Sequence, residues 1–149
     1  MAFGNPYGDL WNEDEVVEAV GLIEKTEIKS VSLADTVGIA SPERIRNLVA
    51  AVLGKFDYLD IGVHLHSRKT DAVEKILAAY DAGCRRFDSA LGGLGGCPFA
   101  QDALVGNIPT EAVLQAMAQR GATPPIRKPL EAVARMNADI ATKFGRNHG

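Results

Sequence analysis

Three short apolar runs, "KSVSLADTVG", "DIGVHLHS" and "CRRFDSA", are separated by stretches of helical period, and this alternation constrains the fold more than any other feature of the chain. Before the first run, "NEDEVVEAVGLIEKTEI" places Val16, Val17, Val20 and Ile23 at helical spacing behind a capping Asn12. Between the first and second, "SPERIRNLVAAVLGKF" opens on Ser41 as N-cap and Pro42 as first helical residue. "RKTDAVEKILAAYDAG" closes on Gly83, "TEAVLQAMAQRG" is expected to be capped by Thr110 and to close on Gly121, and "PLEAVARMNADIATKFG" predicts a last helix. Strands alternating with helices predict βαβ units, right-handed crossovers and a parallel sheet in one α/β domain spanning residues 1–149. A closed eight-stranded (β/α)8 barrel takes about 250 residues. With 149 residues, and with only "MAF" ahead of the turn-forming "GNPYGD", the expectation is a partial TIM barrel, about its last half, whose first strands are absent.

Composition narrows the partners. A chain that is 46% hydrophobic and 23% charged can bury a core. A formal net charge of -3 gives no electrostatic reason to expect nucleic acid or an anionic membrane as partner. No apolar run approaches the roughly 20 residues that span a bilayer, so a cytoplasmic location is expected. Cys84 and Cys97 then read as reduced thiols.

Chemistry-bearing residues gather at the carboxyl ends of the expected strands, where sites of parallel α/β folds lie. In "DIGVHLHS", strand alternation puts Gly62, His64 and His66 on one face and Ile61, Val63 and Leu65 on the other. Two imidazoles about 7 Å apart along a strand can converge on one divalent ion, or can be polar residues at a wet strand end. Asp35 ends "SVSLAD" and reads either as a turn cap or as a site carboxylate, because it shares parity with Val31 and Leu33. Asp88 in "RRFDSALGG" has a similar place, with a structural role at least as well supported. Asn107 in "LVGNIPTE" is a turn residue or an oxygen ligand for a hard cation. The segment "GGLGGCP" fits neither a dinucleotide fingerprint nor a P-loop. Its glycines suit a tight or moving loop, and by pattern alone Cys97 is a packing cysteine or a reactive thiol.

Taken in order, "SLADTVGIASPERI", "GVHLHS", "AGCRRFDSALGGLGGCPFAQD" and "GNIPTE" resemble the hydroxymethylglutaryl-CoA lyases, of the TIM-barrel metallolyase superfamily. The resemblance runs from "FGNPYGD" to about Gly121. It implies cleavage of hydroxymethylglutaryl-CoA, an acyl-CoA substrate, to acetyl-CoA and acetoacetate with a Mg or Mn ion. It implies further that His64, His66 and Asn107 are metal ligands, that Asp35 is a carboxylate near the reacting centre, and that Cys97 is the loop cysteine closing on substrate. His64 and Asp35 are then catalytic candidates beside Cys97. The "HLHSRKTDA" stretch departs from the His-x-His-Asn-Asp pattern of the related isopropylmalate synthase-like enzymes, which favours the lyase branch.

That chemistry needs a base for the tertiary alcohol and an acid for the enolate carbon, with a cation lowering the hydroxyl's pKa. The family draws an Arg-Asp pair from its first strand, for which this sequence offers no counterpart. The expectation is therefore weak activity unless a complementing barrel half, in the same chain, in another chain or in a homo-oligomer, supplies it. The alternatives are an inactive half-barrel serving as an interaction module, a truncation product, or a related acyl-CoA-dependent synthase of the isopropylmalate synthase-like kind.

Overall fold

Asn12 opens the first helix reciprocally: its Oδ1 accepts from Glu15 N at 2.9 Å, and Glu15 Oε2 accepts from Asn12 N at 2.8 Å. The computed structural model describes residues 1–9, 11–96, 105–124, 126 and 128–144. Along them run α1 (Glu13–Glu24), β1 (Ser30–Asp35), α2 (Pro42–Lys55), β2 (Asp60–Ser67), α3 (Ala72–Asp81) and β3 (Arg86–Asp88). A single 3-10 turn (Leu91–Gly93), β4 (Gly106–Asn107), α4 (Thr110–Gln119) and α5 (Glu131–Phe144) follow. Ser41 caps α2 as expected, its Oγ accepting from Arg44 N at 3.2 Å. Thr110 does not cap α4. It is already the first helical residue, Pro109 holds the cap position without a side-chain bond, and the Thr110 hydroxyl meets Ser89 Oγ at 3.0 Å instead.

β1, β2 and β3 are parallel neighbours in that order, with Ala34 beside His64, Asp35 beside Leu65, and His64 beside Asp88. β4 departs from the parallel expectation. The chain returns across the end of β2 and pairs with it antiparallel, His66 opposite Asn107 and Ser67 opposite Gly106. On the far side of β1, Ala2 N donates to Ala34 O at 2.8 Å and Phe3 is fully buried, so the "MAF" strand end lies against the sheet. Among the described residues the sheet is open, a partial (β/α)8 arrangement.

One face of the sheet is packed and the other is polar. Ile61, Val63 and Leu65 of β2 and Leu33 of β1 join Ile45, Leu48, Val49 and Val52 of α2 and Ile76 of α3 in one buried cluster. Burial of each such side chain is worth roughly 1.5–3 kcal/mol. Cys84 sits in this core, donating to Arg86 O at 3.2 Å, and burial pushes its thiol above the ordinary range. On the opposite face the Arg86 side chain crosses three strands. It meets the Asp60 carboxylate at 2.9 Å, Ser32 Oγ at 2.9 Å and Val31 O at 2.9 Å. Gly62 makes room for it, since a Cβ there would lie 2.5 Å from Arg86 Cζ.

Candidate active site at the strand ends

β2 alternates, and the alternation decides which side chains meet. His64 and His66 project from the polar face and their rings turn together, with centroids 5.2 Å apart and Nε2 facing Nε2 at 3.2 Å. His66 is buried, whereas about two-fifths of the His64 side chain is exposed. Burial, joined by His64 and the Lys75 ammonium and opposed by Asp35, lowers the His66 pKa and keeps that ring neutral near neutral pH. Asp88 Oδ2 lies 3.9 Å from His64 Nδ1, beyond hydrogen-bond distance. The Asp88 carboxylate is itself held by Ser32 Oγ at 2.9 Å and Arg86 Nη1 at 3.4 Å.

Asn107 is brought to the pair by β4. Residues directly opposite in an antiparallel pair share a face, so the Asn107 side chain stands on the face of His66. Its amide nitrogen donates to Leu94 O at 2.9 Å, leaving Oδ1 as the atom a cation would take. The glycine segment wraps this residue: Asn107 N donates to Gly95 O at 3.0 Å. Gly93 and Gly95 both hold positive φ, at 72° and 82°, and a Cβ on them would lie 2.9 Å from Asn107 O and 3.0 Å from Asn107 Nδ2. The glycines therefore serve close backbone approach as well as freedom of turn. Glu111 of α4 fastens the turn by accepting from Gly92 N at 3.0 Å, and Asn137 of α5 donates to Leu91 O at 3.0 Å. Cys97 follows Gly96 and lies outside the described residues.

Asp35 stands elsewhere. In register with Leu65 rather than with His64, it points to the helix-packed face and is 1% exposed. Its Oδ1 accepts from Ile39 N at 3.0 Å and its Oδ2 from Ala40 N at 3.1 Å, closing the turn after β1. Lys75, which the sequence reading did not single out, supplies the counter-charge at 3.1 Å. A signal existed: with Ala72, Ile76 and Ala79 it occupies positions i, i+3, i+4 and i+7 on the buried side of α3, where a lysine needs a partner.

Two imidazole nitrogens 3.2 Å apart subtend an angle of about 100° at a shared ion with bonds of about 2.1 Å, an ordinary angle between neighbouring ligands. The imidazole pair is a donor set that fits part of a divalent coordination sphere, with Asn107 on the same face of the sheet. It supplies no negative charge, and among the described residues no group of three His, Cys, Asp or Glu converges. The second nitrogen of His66, Nδ1, is buried and has no protein partner among the described residues.

The HMGL-like family model matches residues 1–139. The (R)-citramalyl-CoA lyase of Chloroflexus aurantiacus is 36% identical over 110 residues, covering 74% of this chain and 34% of that protein. A hydroxymethylglutaryl-CoA lyase of Bacillus subtilis is 32% identical over 117 residues, 78% of this chain and 39% of that protein. Among solved structures, an HMG-CoA lyase from Acinetobacter baumannii in complex with coenzyme A and 3-methylmalate superposes with a TM-score of 0.78 at 35% identity, over 99% of this chain and 51% of that one. The Bacillus subtilis HMG-CoA lyase structure gives 0.83 at 29% identity, over 97% and 48%. The chain thus spans about half the length of these structures and little more than a third of the curated relatives.

Proposed function

Since the chain belongs to the HMGL-like family, we propose that its strand-end site is one half of a carbon–carbon lyase site that cleaves a branched β-hydroxyacyl-CoA, hydroxymethylglutaryl-CoA first among them. The observation that carries this reading is the imidazole pair, Nε2 to Nε2 at 3.2 Å, with His66 standing opposite Asn107 at the end of β2. His64, His66 and Asn107 would hold a Mg or Mn ion. When bound, such an ion lowers the pKa of the substrate's tertiary hydroxyl and fixes that hydroxyl against the neighbouring carboxylate.

This chain's own residues do part of the rest. His66, kept neutral by burial, presents a lone pair without competition from protons at neutral pH. His64 is the ring open to substrate, with Asp88 on its Nδ1 side; because its one lone pair would be given to the ion, we assign the departure of the hydroxyl proton to a base among the charged groups of a complementing barrel half. As the carbon–carbon bond breaks, its electron pair passes to the thioester as an enolate and the alcohol carbon becomes a ketone. Cys97 then gives its thiol proton to the enolate carbon, and the proton lost from the hydroxyl restores the thiol. Asp35 acts from behind the sheet, holding the turn after β1 against the end of β2. A complementing barrel half would contribute the charged groups that this donor set lacks.

The relative named as an (R)-citramalyl-CoA lyase, at 36% identity, supports a second substrate of the same class. Cleavage of citramalyl-CoA releases pyruvate where hydroxymethylglutaryl-CoA releases acetoacetate, so one experiment separates them. Each thioester is incubated with the protein and Mn, and both keto acids are measured, for the native chain and for His64→Ala. Turnover of one thioester that falls about a hundredfold or more in the variant is the expected result. Equal turnover in the two proteins, or none with either substrate once a complementing barrel half has been added, overturns the reading.

A further inference from the structure

Lys75 is the one lysine in the buried interior among the described residues, and every hydrogen of its ammonium is spent. Nζ donates to Asp35 Oδ2 at 3.1 Å, to Gly38 O at 2.9 Å and to His66 O at 3.0 Å. These acceptors come from the end of β1, from the turn that follows it, and from the backbone of the histidine in the imidazole pair. Gly38 is seated directly on that histidine, since a Cβ there would lie 3.3 Å from His66 O and 2.6 Å from Val105 Cγ1. Asp35 completes the arrangement by closing its own turn with two backbone bonds. A buried ion pair satisfied at every donor is retained for the geometry it specifies more than for its net stabilisation.

We propose that Lys75 is a positioning residue of the site: from behind the sheet it fixes the His66 backbone against the turn after β1, and so sets the separation of the two imidazoles. This rests on the reading of His64 and His66 as ligands. Electrostatics and positioning make opposite forecasts, which is what renders the inference testable. Removing the ammonium while keeping the Asp35 carboxylate adds negative charge near the pair, and on charge alone a cation would bind more tightly. If Lys75 positions His66, the same change loosens the pair and the cation binds less tightly.

The experiment measures Mn affinity by titration calorimetry on the native chain, on Lys75→Met and on Asp35→Asn/Lys75→Met, each well below its own melting temperature. Amide hydrogen exchange of Ile39 and Ala40 is followed in the same proteins. The double variant keeps the test alive if the single one does not fold, because it leaves no unpaired charge. Weakening of Mn binding by about tenfold or more in Lys75→Met, as supporting partners of metal ligands typically give, is the expected result, with a loss in the double variant too and faster exchange at Ile39 and Ala40. Unchanged or tighter Mn binding in Lys75→Met, or unchanged binding in the double variant, overturns the inference. His64→Ala separates this failure from that of the ligand reading: if it leaves Mn affinity intact, the ligand reading falls. Exchange at Ile39 and Ala40 then decides alone, acceleration in Lys75→Met upholding the fixing role and unchanged exchange overturning it.

Discussion

The turn that leaves β1 arrives at His66 and the glycine segment that leaves β3 arrives at Asn107 opposite it, and the two are held there by different means. The first is fastened by buried charge: Asp35 and Lys75, both nearly inaccessible, close the turn and tie it to His66 O. The second is fastened by the absence of side chains, with Gly93 and Gly95 lying against the backbone and amide of Asn107, and by Glu111 and Asn137 at its more open rim. Buried charge fixes one geometry steeply, because any displacement exposes an unpaired group. Backbone contact among glycines is shallow, and a segment held that way can be rearranged at modest cost. A site that must hold a ligand still while admitting a substrate has use for both, one at its back and one at its mouth.

The contrast is open to attack, most strongly through the two thiols. Cys84 lies in the packed core with its pKa raised, so alkylation at pH 8 is expected to wait for opening and to run on the order of a thousandfold slower than in the urea-unfolded chain. Cys97, beyond the glycines, is expected to label near the unfolded rate. Mass spectrometry of the alkylated peptides checks this, and faster labelling of Cys84 would break the comparison. Next in size is Asp35→Asn, which leaves the Lys75 ammonium buried without its partner. Urea unfolding is expected to show a loss of about 3–5 kcal/mol. A loss under about 1 kcal/mol would put the two segments on equal footing. The smallest effect is expected at the mouth: Gly95→Ala meets a left-handed backbone and the Asn107 amide, a cost of about 1–2 kcal/mol by the same measurement. A larger loss there than for Asp35→Asn would reverse the contrast.

What could be read beforehand follows the same division. The helix starts at Asn12 and Ser41, the β2 strand and the pairing of His64 with His66 on one face are consequences of residues adjacent in sequence, and all were legible. The face of Asp35 was not, because Val31, Leu33 and Asp35 share one parity and only the β1–β2 register, with Asp35 beside Leu65, assigns it. Lys75 was passed over because its partners stand 40, 37 and 9 residues away, although its place on the apolar side of α3 marked it. β4 is two residues long and owes its existence to the end of β2, so no local pattern announces it. The glycine run was read as a tight or moving loop. Its second use, close approach to Asn107, depends on a neighbour that pattern does not supply.

The Asp35–Lys75 pair also bears on how this sequence can drift. A single neutral replacement at either position strands a buried charge, whereas replacing both can be close to neutral in stability. Between the charged pair and an uncharged one lies a trough that one-step change must cross. The two positions, 40 residues apart, are therefore expected to change together rather than one at a time.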